Sequence, residues 1–398
     1  MTSTLLLVER QAKILSLLYQ GNRLIQANAY HQDGSDMECI YIGKIKNIVP
    51  SIEAAFVEYK PDTIGFLSLK NLKNPIVTNR QFEGKLIAGD EIVVQVDKEG
   101  IKTKSPGLTC NLSFTGTYCV LTTGKQNIGF SSKFSESTKQ ELKQHLKEHN
   151  VYARLKAEEV GMVVRTNAGS LSDFSLFLEE LETLLEKKNT LLKQAPYRTC
   201  FSLLSKPAAP YIIGIRDLYS FTYDKIVTDN EIIYQEIKKE FPLLENIVLY
   251  QDNQISLSKL YSVETRLKEA LAEKVWLKSG AYLIIQPTEA LTVIDVNSGK
   301  LQKKHPGDDI FLQINKEAAK EIALQLRLRN LSGIIVVDFI NQVSKEQDTE
   351  LLQYFSNLVK KDPIQTDVID MTPLGLVEVT RKKIHKSLKE QLLQSMDL

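Results

Sequence analysis

Two runs of β-type apolar residues, ALTVIDVNSG (290–299) and GIIVVDFI (333–340), each carry one aspartate, and FLQINKEAAKEIALQLRLRNL between them has the apolar spacing of a helix. Strand, helix and strand in this order demand an α/β layer in which the helix crosses one face of a sheet. In the first run the strand period of two puts Val293, Asp295 and Asn297 on one face and Thr292, Ile294 and Val296 on the other. In the second, Asp338 interrupts what otherwise reads as a fully buried central strand. A buried ionised carboxylate without a partner costs several kcal/mol, so each aspartate needs a cation, a donor or an exposed strand end. Both lie toward the C-terminal ends of their strands, where open α/β sheets place their ligand sites. They are 43 positions apart, and if the strands are neighbours the carboxylates converge beside Asn297 on a hard-oxygen set of the kind Mg²⁺ prefers. The competing reading makes Asp295 the opening of a turn and Asp338 the partner of a surface Arg or Lys.

Ahead of this region the pattern changes twice. From about residue 38 to 123, short β-type runs (CIYIGKIKNIV, IEAAFVEY, IGFLSLK, EIVVQVD, LTCNLSF, YCVLTT) alternate with turns, which predicts a small barrel or sandwich, an OB-type barrel among the candidates. SESTKQELKQHLKEHN then reads as a capped polar helix, and SLSDFSLFLEELETLLEKKNTLL as an amphipathic helix opening near Ser170 to Asp173. EEVGMVVRTNAGS lies between them as a strand and loop, KPAAPYII reads as a domain crossing, and residues 208 to 265 mix strands (YIIGIRD, KIVTDN, NIVLY) with the helix NEIIYQEIKKEF. At roughly 100 to 200 residues per domain, 398 residues imply two to four domains.

Charge settles less. Fifty Lys and Arg against 49 Asp and Glu leave +1, so a nucleic-acid partner has no whole-chain electrostatic footprint and must be read from local patches. Residues 101 to 170 carry ten basic and five acidic residues, and Arg381 to Lys389 carries five basic and no acidic ones. The four cysteines, Cys39, Cys110, Cys119 and Cys200, form no C-x-x-C or C-x-x-H pair, which excludes a zinc ribbon and a redox motif and predicts small buried hydrophobes in a reducing, cytoplasmic setting. Glu9, Arg10 and Lys13 break the N-terminal apolar stretch before a signal or membrane span can form.

EALTVIDVNSGK followed by EIALQLRLRNLSGIIVVDFI resembles the catalytic core of the ribonuclease E/G family. The likeness extends back through IYIGKIKNIVPSIEAAFVEY, IGFLSLK, QVDKEGIKTKSPGLT and VVRTNAG, and forward to GLVEVTRKK, in collinear order. It implies an α+β multidomain chain: an OB-type RNA-binding β-barrel (36–123) inserted in a ribonuclease-H-like subdomain (1–35 and 207–270), a small 5′-phosphate-sensing subdomain (124–206), and a deoxyribonuclease-I-like α/β catalytic domain (271–398). The implied activity is Mg²⁺-dependent endonucleolytic cleavage of single-stranded RNA, in RNA processing or decay, leaving 5′-phosphate and 3′-hydroxyl ends. By motif position, Asp295 and Asp338 match the family's metal-binding aspartates, with one Mg²⁺ per active site, and Asn297 matches the asparagine that orients one of them. Phe56 and Phe66 match base-stacking positions and Lys104 a basic RNA-contacting position. Without the resemblance the phenylalanines read as core and Lys104 as a solvated loop charge. Arg165 and Thr166 match the pocket for a 5′-monophosphate, an Arg fork and a hydroxyl ahead of a helix N-terminus.

The chain also departs from the family's pattern. No Cys-Pro-x-Cys pair follows Arg381, so no structural zinc and no zinc-linked tetramer is expected, which leaves a homodimer through another surface. Pro373 stands where better-known members have an Arg of the 5′-phosphate pocket, Lys133 is the nearest alternative basic residue, and Asn341 replaces a common acidic residue. Two rivals to the nuclease remain: a non-catalytic RNA-binding protein of the same fold, against which Asp295, Asn297 and Asp338 argue, and a phosphoesterase acting on small molecules, which has no use for the barrel's aromatic and basic positions.

Overall fold

The computed structural model describes residues 2–31, 36–70, 72–73, 75–98, 100, 105–218, 223–241, 244–299 and 308–393. The chain divides into two compact units: Met1–Gln32 with Thr222–Leu398, and, inserted in the chain between these segments, Asp33–Phe221. Both mix α and β structure.

The first unit begins with an antiparallel meander, β1 (Ser3–Arg10), β2 (Lys13–Gln20) and β3 (Arg23–His31). Leu5, Leu6, Leu7 and Val8 are buried in succession, so β1 has both faces covered, the pattern of a central strand.

In the second unit β4 (Ile40–Val49), β5 (Ala54–Lys60), β6 (Thr63–Ser68), β7 (Glu91–Lys98) and β8 (Gly107–Thr109) pair in the order β4-β5-β6-β8-β7, and β7 returns to β4. This closes a five-stranded barrel around Tyr41, Ile45, Val57, Tyr59, Leu67, Ile92 and Val94. Gly43 sits where β4 is shared by two neighbours; a Cβ there would come within 2.6 Å of Val57. The next strands, β9 (Ser113–Thr115) and β10 (Cys119–Thr122), fall within the segment read from sequence as barrel, but they pair elsewhere. They join β11 (Ile128–Phe130) and β12 (Gly161–Val164), with helices α1 (Glu136–Glu148) and α2 (Val151–Ala157) inserted before β12. Ser135 caps α1, its Oγ accepting from Thr138 N at 3.1 Å. Phe177, Leu181, Leu184, Leu185 and Leu191 of α3 (Ser175–Gln194) pack on this sheet. β13 (Leu203–Ser205) then adds to β4. The segment YIIGIRD, read as a strand, is helix α4 (Pro210–Leu218). Its isoleucines suggest β structure, but Tyr211, Ile212 and Ile215 are buried at helical spacing and Pro210 stands at the first helical position, where its missing N–H costs nothing.

Back in the first unit, β14 (Lys225–Thr228) runs parallel to β1, and β15 (Ile247–Leu249) extends the sheet to the order β15-β14-β1-β2-β3. Helices α5 (Glu231–Glu240), α6 (Leu257–Leu260) and α7 (Val263–Leu271) accompany it. The last region is a mixed sheet of β16 (Lys274–Trp276), β17 (Tyr282–Pro287), β18 (Thr292–Asn297), β19 (Gly333–Asp338), β20 (Thr366–Met371) and β21 (Leu376–Arg381), in the order β16-β17-β18-β19-β21-β20. Helix α8 (Asp308–Leu328) connects β18 to β19, α9 (Lys345–Val359) precedes β20, and α10 (Leu388–Leu393) follows the sheet. Leu351, Phe355 and Val359 of α9 and Ala318, Ile322 and Leu326 of α8 bury against Ile294, Val296, Ile335, Val337, Val377 and Val379.

Arg381 is not part of a basic surface. It is 3% exposed, and its guanidinium donates to Asp362, Asn330 and the Leu331 carbonyl at 2.9–3.0 Å. No helix among the described residues is long and apolar enough to cross a membrane. Cys39, Cys110 and Cys119 are buried; burial pushes the Cys110 thiol up to about 12, which keeps it protonated and unreactive.

Candidate active site

β18 and β19 are parallel neighbours, and their register pairs Thr292 with Ile335, Ile294 with Val337, and Asp295 with Asp338. The two aspartates therefore stand side by side on one face, about 4.8 Å apart along the hydrogen-bonding direction. Helices α8 and α9 cover the opposite face, so β19 is not the fully buried strand that its composition suggests. Its residues alternate: Ile335 and Val337 are buried, whereas Ile334 is 55% exposed and Asp338 is exposed. An exposed strand end answers the cost of the Asp338 charge; Asp295 is half-buried. That burial, and then the adjacent Asp338 carboxylate, push the Asp295 carboxyl above the usual aspartate value.

Asn297 is exposed on the same face, about 7 Å farther along β18. Its Oδ1 accepts from Gly299 N at 2.9 Å, closing an Asx turn where the strand ends. Gly299 has φ +62°, and a Cβ there would meet the Gly280 carbonyl at 2.9 Å, so the turn requires glycine. Asn315 escaped the sequence reading. Fully buried on α8, it donates through Nδ2 to the Ile340 carbonyl (2.7 Å) and accepts through Oδ1 from Ile340 N (3.1 Å). The chain is thus clamped two residues beyond Asp338. The available signal was an amide in the apolar stripe of INKEAAKEIA. Among the described residues no group of three or more His, Cys, Asp or Glu could cage a metal. What the sheet offers is one exposed and one half-buried carboxylate side by side.

In the second unit Phe56 on β5 is paired in register with Phe66 on β6, ring centroids 6.1 Å apart and edge to face. Both alternate with barrel-core residues, Val57 and Leu67, so the rings lie on the barrel's outer surface, and Phe66 is 36% exposed. Lys104 lies outside the described residues.

Arg165 follows β12, its N–H donating to the Tyr118 carbonyl and Nη1 to the Gly116 carbonyl at 2.6 Å. Thr166 Oγ1 lies 2.8 Å from Ser131 Oγ. The turn that receives Arg165 is held from α3 by Glu180, whose carboxylate accepts from the backbone N–H groups of Thr117, Tyr118 and Cys119 at 2.6–3.1 Å. A side chain at Gly116 would collide with that carboxylate. The expected helix N-terminus at Ser170 to Asp173 is displaced. Residues Thr166–Ser170 form a short 3-10 turn, and α3 begins only at Ser175, because Asp173 accepts from Ser175 N and Oγ. Pro373 is exposed in the β20–β21 hairpin, whose turn requires φ +83° at Gly375.

A sequence profile of the ribonuclease E/G family matches residues 113–384. The chain is 32% identical over 386 residues to ribonuclease E of Nostoc sp., an alignment covering 93% of this chain and 54% of that protein. It is 33% identical over 377 residues to ribonuclease G of Haemophilus influenzae (89% and 74% covered) and 30% identical over 373 residues to ribonuclease G of Escherichia coli K12 (89% and 74%). The chain spans about half the length of the ribonuclease E relative. Matched over most of its length, the chain belongs to the ribonuclease E/G family.

Proposed function

We propose that this chain is a divalent-metal-dependent endoribonuclease of RNA processing or decay that cuts single-stranded RNA to 5′-phosphate and 3′-hydroxyl ends. The observation that carries the reading is the Asp295–Asp338 register on the open face of the catalytic sheet. The donor set fits Mg²⁺, which keeps several waters and takes one or two carboxylates beside substrate phosphates. A cation also offsets the burial and the neighbouring Asp338 charge that raise the Asp295 carboxyl. Bound there, Mg²⁺ would supply Lewis-acid polarisation of the phosphodiester and a bound water of lowered pKa. The chain's own part is to hold and orient: Asp295 and Asp338 as ligands, Asn297 closing the turn beside them, Asn315 fixing the strand exit.

In this reading the closed barrel is of OB type, and Phe56 and Phe66 stack bases, each contact worth about 1–3 kcal/mol. Lys104 adds a phosphate contact, while Arg165 and Thr166, steadied by the turn that Glu180 holds, receive a 5′-monophosphate. The sheet of β1–β3 with β14 and β15 is the ribonuclease-H-like part, and β16–β21 with α8 and α9 the deoxyribonuclease-I-like part.

The test incubates a single-stranded RNA bearing a 5′-monophosphate or a 5′-triphosphate with the protein in Mg²⁺ or EDTA, beside Asp295→Asn and Asp338→Asn. Cleavage confined to wild type with Mg²⁺ is expected, faster on the monophosphate, and Arg165→Ala should bring the two rates together. No Mg²⁺-dependent cleavage in wild type, or unchanged cleavage in both Asn variants, would sink the proposal.

A further inference from the structure

Sheet register places three more side chains on the open face that carries the aspartates. β16 pairs Lys274 with Ile284 and Trp276 with Tyr282, and β17 pairs Ile284 with Asp295 and Tyr282 with Asn297. The alternate residues, Val275 and Leu283, turn into the core beneath, so Lys274, Trp276 and Tyr282 project outward with Asp295 and Asn297. Strand spacing and rise put the Tyr282 Cα about 8 Å and the Trp276 Cα about 12 Å from the Asp295 Cα.

Trp276 is 64% exposed, and single exposed hydrophobics need no explanation. This one is not single. Its ring meets Tyr282 edge to face at 5.2 Å between centroids, and Lys274 Nζ stands 4.0 Å from the Trp276 centroid and 3.7 Å from that of Tyr282. Two π faces and a cation beside a pair of carboxylates form the combination that holds a nucleobase and its phosphate: flat aromatic surface for stacking, a positive charge for the backbone. An acidic pair alone repels a polyanion, so a cationic aromatic platform one or two strands away supplies attraction where the carboxylates cannot.

We infer that Trp276, Tyr282 and Lys274 form a base-stacking subsite for the nucleotide flanking the scissile phosphate. The inference rests on the endoribonuclease reading above and adds a strand-positioning element within the catalytic sheet itself. Stacking tolerates every base, so the subsite fixes the position of the strand more than its sequence.

Trp276 is the only tryptophan in the chain, so its emission reports this one place. The full chain is titrated in EDTA with a single-stranded RNA of known cut site, and with the same RNA carrying one abasic nucleotide walked through that site. Emission should quench with intact RNA and lose the quench when the abasic nucleotide flanks the cut. In Mg²⁺, Trp276→Leu and Tyr282→Leu should lower kcat/KM about 5- to 100-fold, carried mainly by KM. Lys274→Gln should do so less, and with a weaker salt dependence. If a variant fails to fold, the wild-type titration still decides. A wild type that cuts RNA while its emission ignores the RNA, or ignores the abasic position, overturns the subsite and leaves the nuclease standing. A protein that neither cuts nor binds RNA overturns both.

Discussion

Two effects disfavour charge on the Asp295 carboxylate: its partial burial and the Asp338 carboxylate paired with it. A carboxyl raised in the native state weakens folding as pH rises through its native value, so near neutrality the cation-free protein carries a small penalty at this residue. Asp295→Asn should therefore abolish cleavage while slightly raising the cation-free melting temperature. Added Mg²⁺ should raise the melting temperature of wild type but not of Asp295→Asn, which differential scanning calorimetry can read. An unchanged or lowered cation-free melting temperature would show that burial and the paired Asp338 do not penalise the Asp295 charge. The residue types at this site were legible in the sequence because period-two alternation assigns a face to every strand residue. Which strands are adjacent is a long-range property, and only the pairing of β18 with β19 turns two isolated aspartates into a pair.

At the scale of elements, α8 both covers the sheet and holds one of its ends. Asn315→Leu would leave the Ile340 N–H without its partner, while the Ile340 carbonyl keeps the bond from Gln342 Nε2, at a cost of about 1–3 kcal/mol. It would also slacken the strand exit beyond Asp338, and supports of metal ligands typically control affinity about 10-fold or more. The expected outcome is a Mg²⁺ requirement shifted at least tenfold upward, measured by metal titration of cleavage, with the RNA-binding constant in EDTA little changed. The barrel holds a comparable device: Arg80 donates twice to buried Asp90 (2.6 and 2.8 Å) and Ile87 N–H once (2.9 Å). Burial pushes the Asp90 carboxyl up, but these donors outweigh it and hold it below the usual value. The stability this gives is present above about pH 4 and is lost as pH falls through the depressed native value. Urea unfolding should find Asp90→Asn less stable at pH 7, with the gap closing as the pH falls below about 4. Elements misread from sequence failed for local reasons. The α4 segment is rich in β-branched residues yet buries a helical stripe, and Thr166–Ser170 close as a 3-10 turn ahead of α3, which begins at Ser175 beside the Asp173 carboxylate that accepts from its N–H and hydroxyl.

For the whole molecule, a net charge of +1 sums over separate acidic and basic places, as the proposed function requires: carboxylates for a cation and basic residues for phosphate. RNA affinity should therefore fall with salt according to the few phosphates contacted: for about three contacts, a slope near −2 in log K against log salt. A slope near zero would exclude phosphate contacts as the source of affinity. The sequence by itself determined the alternation of strand and helix in the last third, the outward or inward face of each strand residue, and the family likeness carried by collinear motifs. Those are local or linear properties, written in periods of two and 3.6 residues. Only the tertiary structure decided that β1–β3 complete a sheet with strands more than 190 residues away, that β9 and β10 leave the barrel for another sheet, and that Arg381 is a buried strut. It also decided that among the described residues one face of the β16–β21 sheet stays open, which brings Trp276, Tyr282 and Lys274 to the side of the two aspartates. Adjacency of strands and coverage of a face depend on which distant apolar surfaces bury one another, and no window of sequence carries that information.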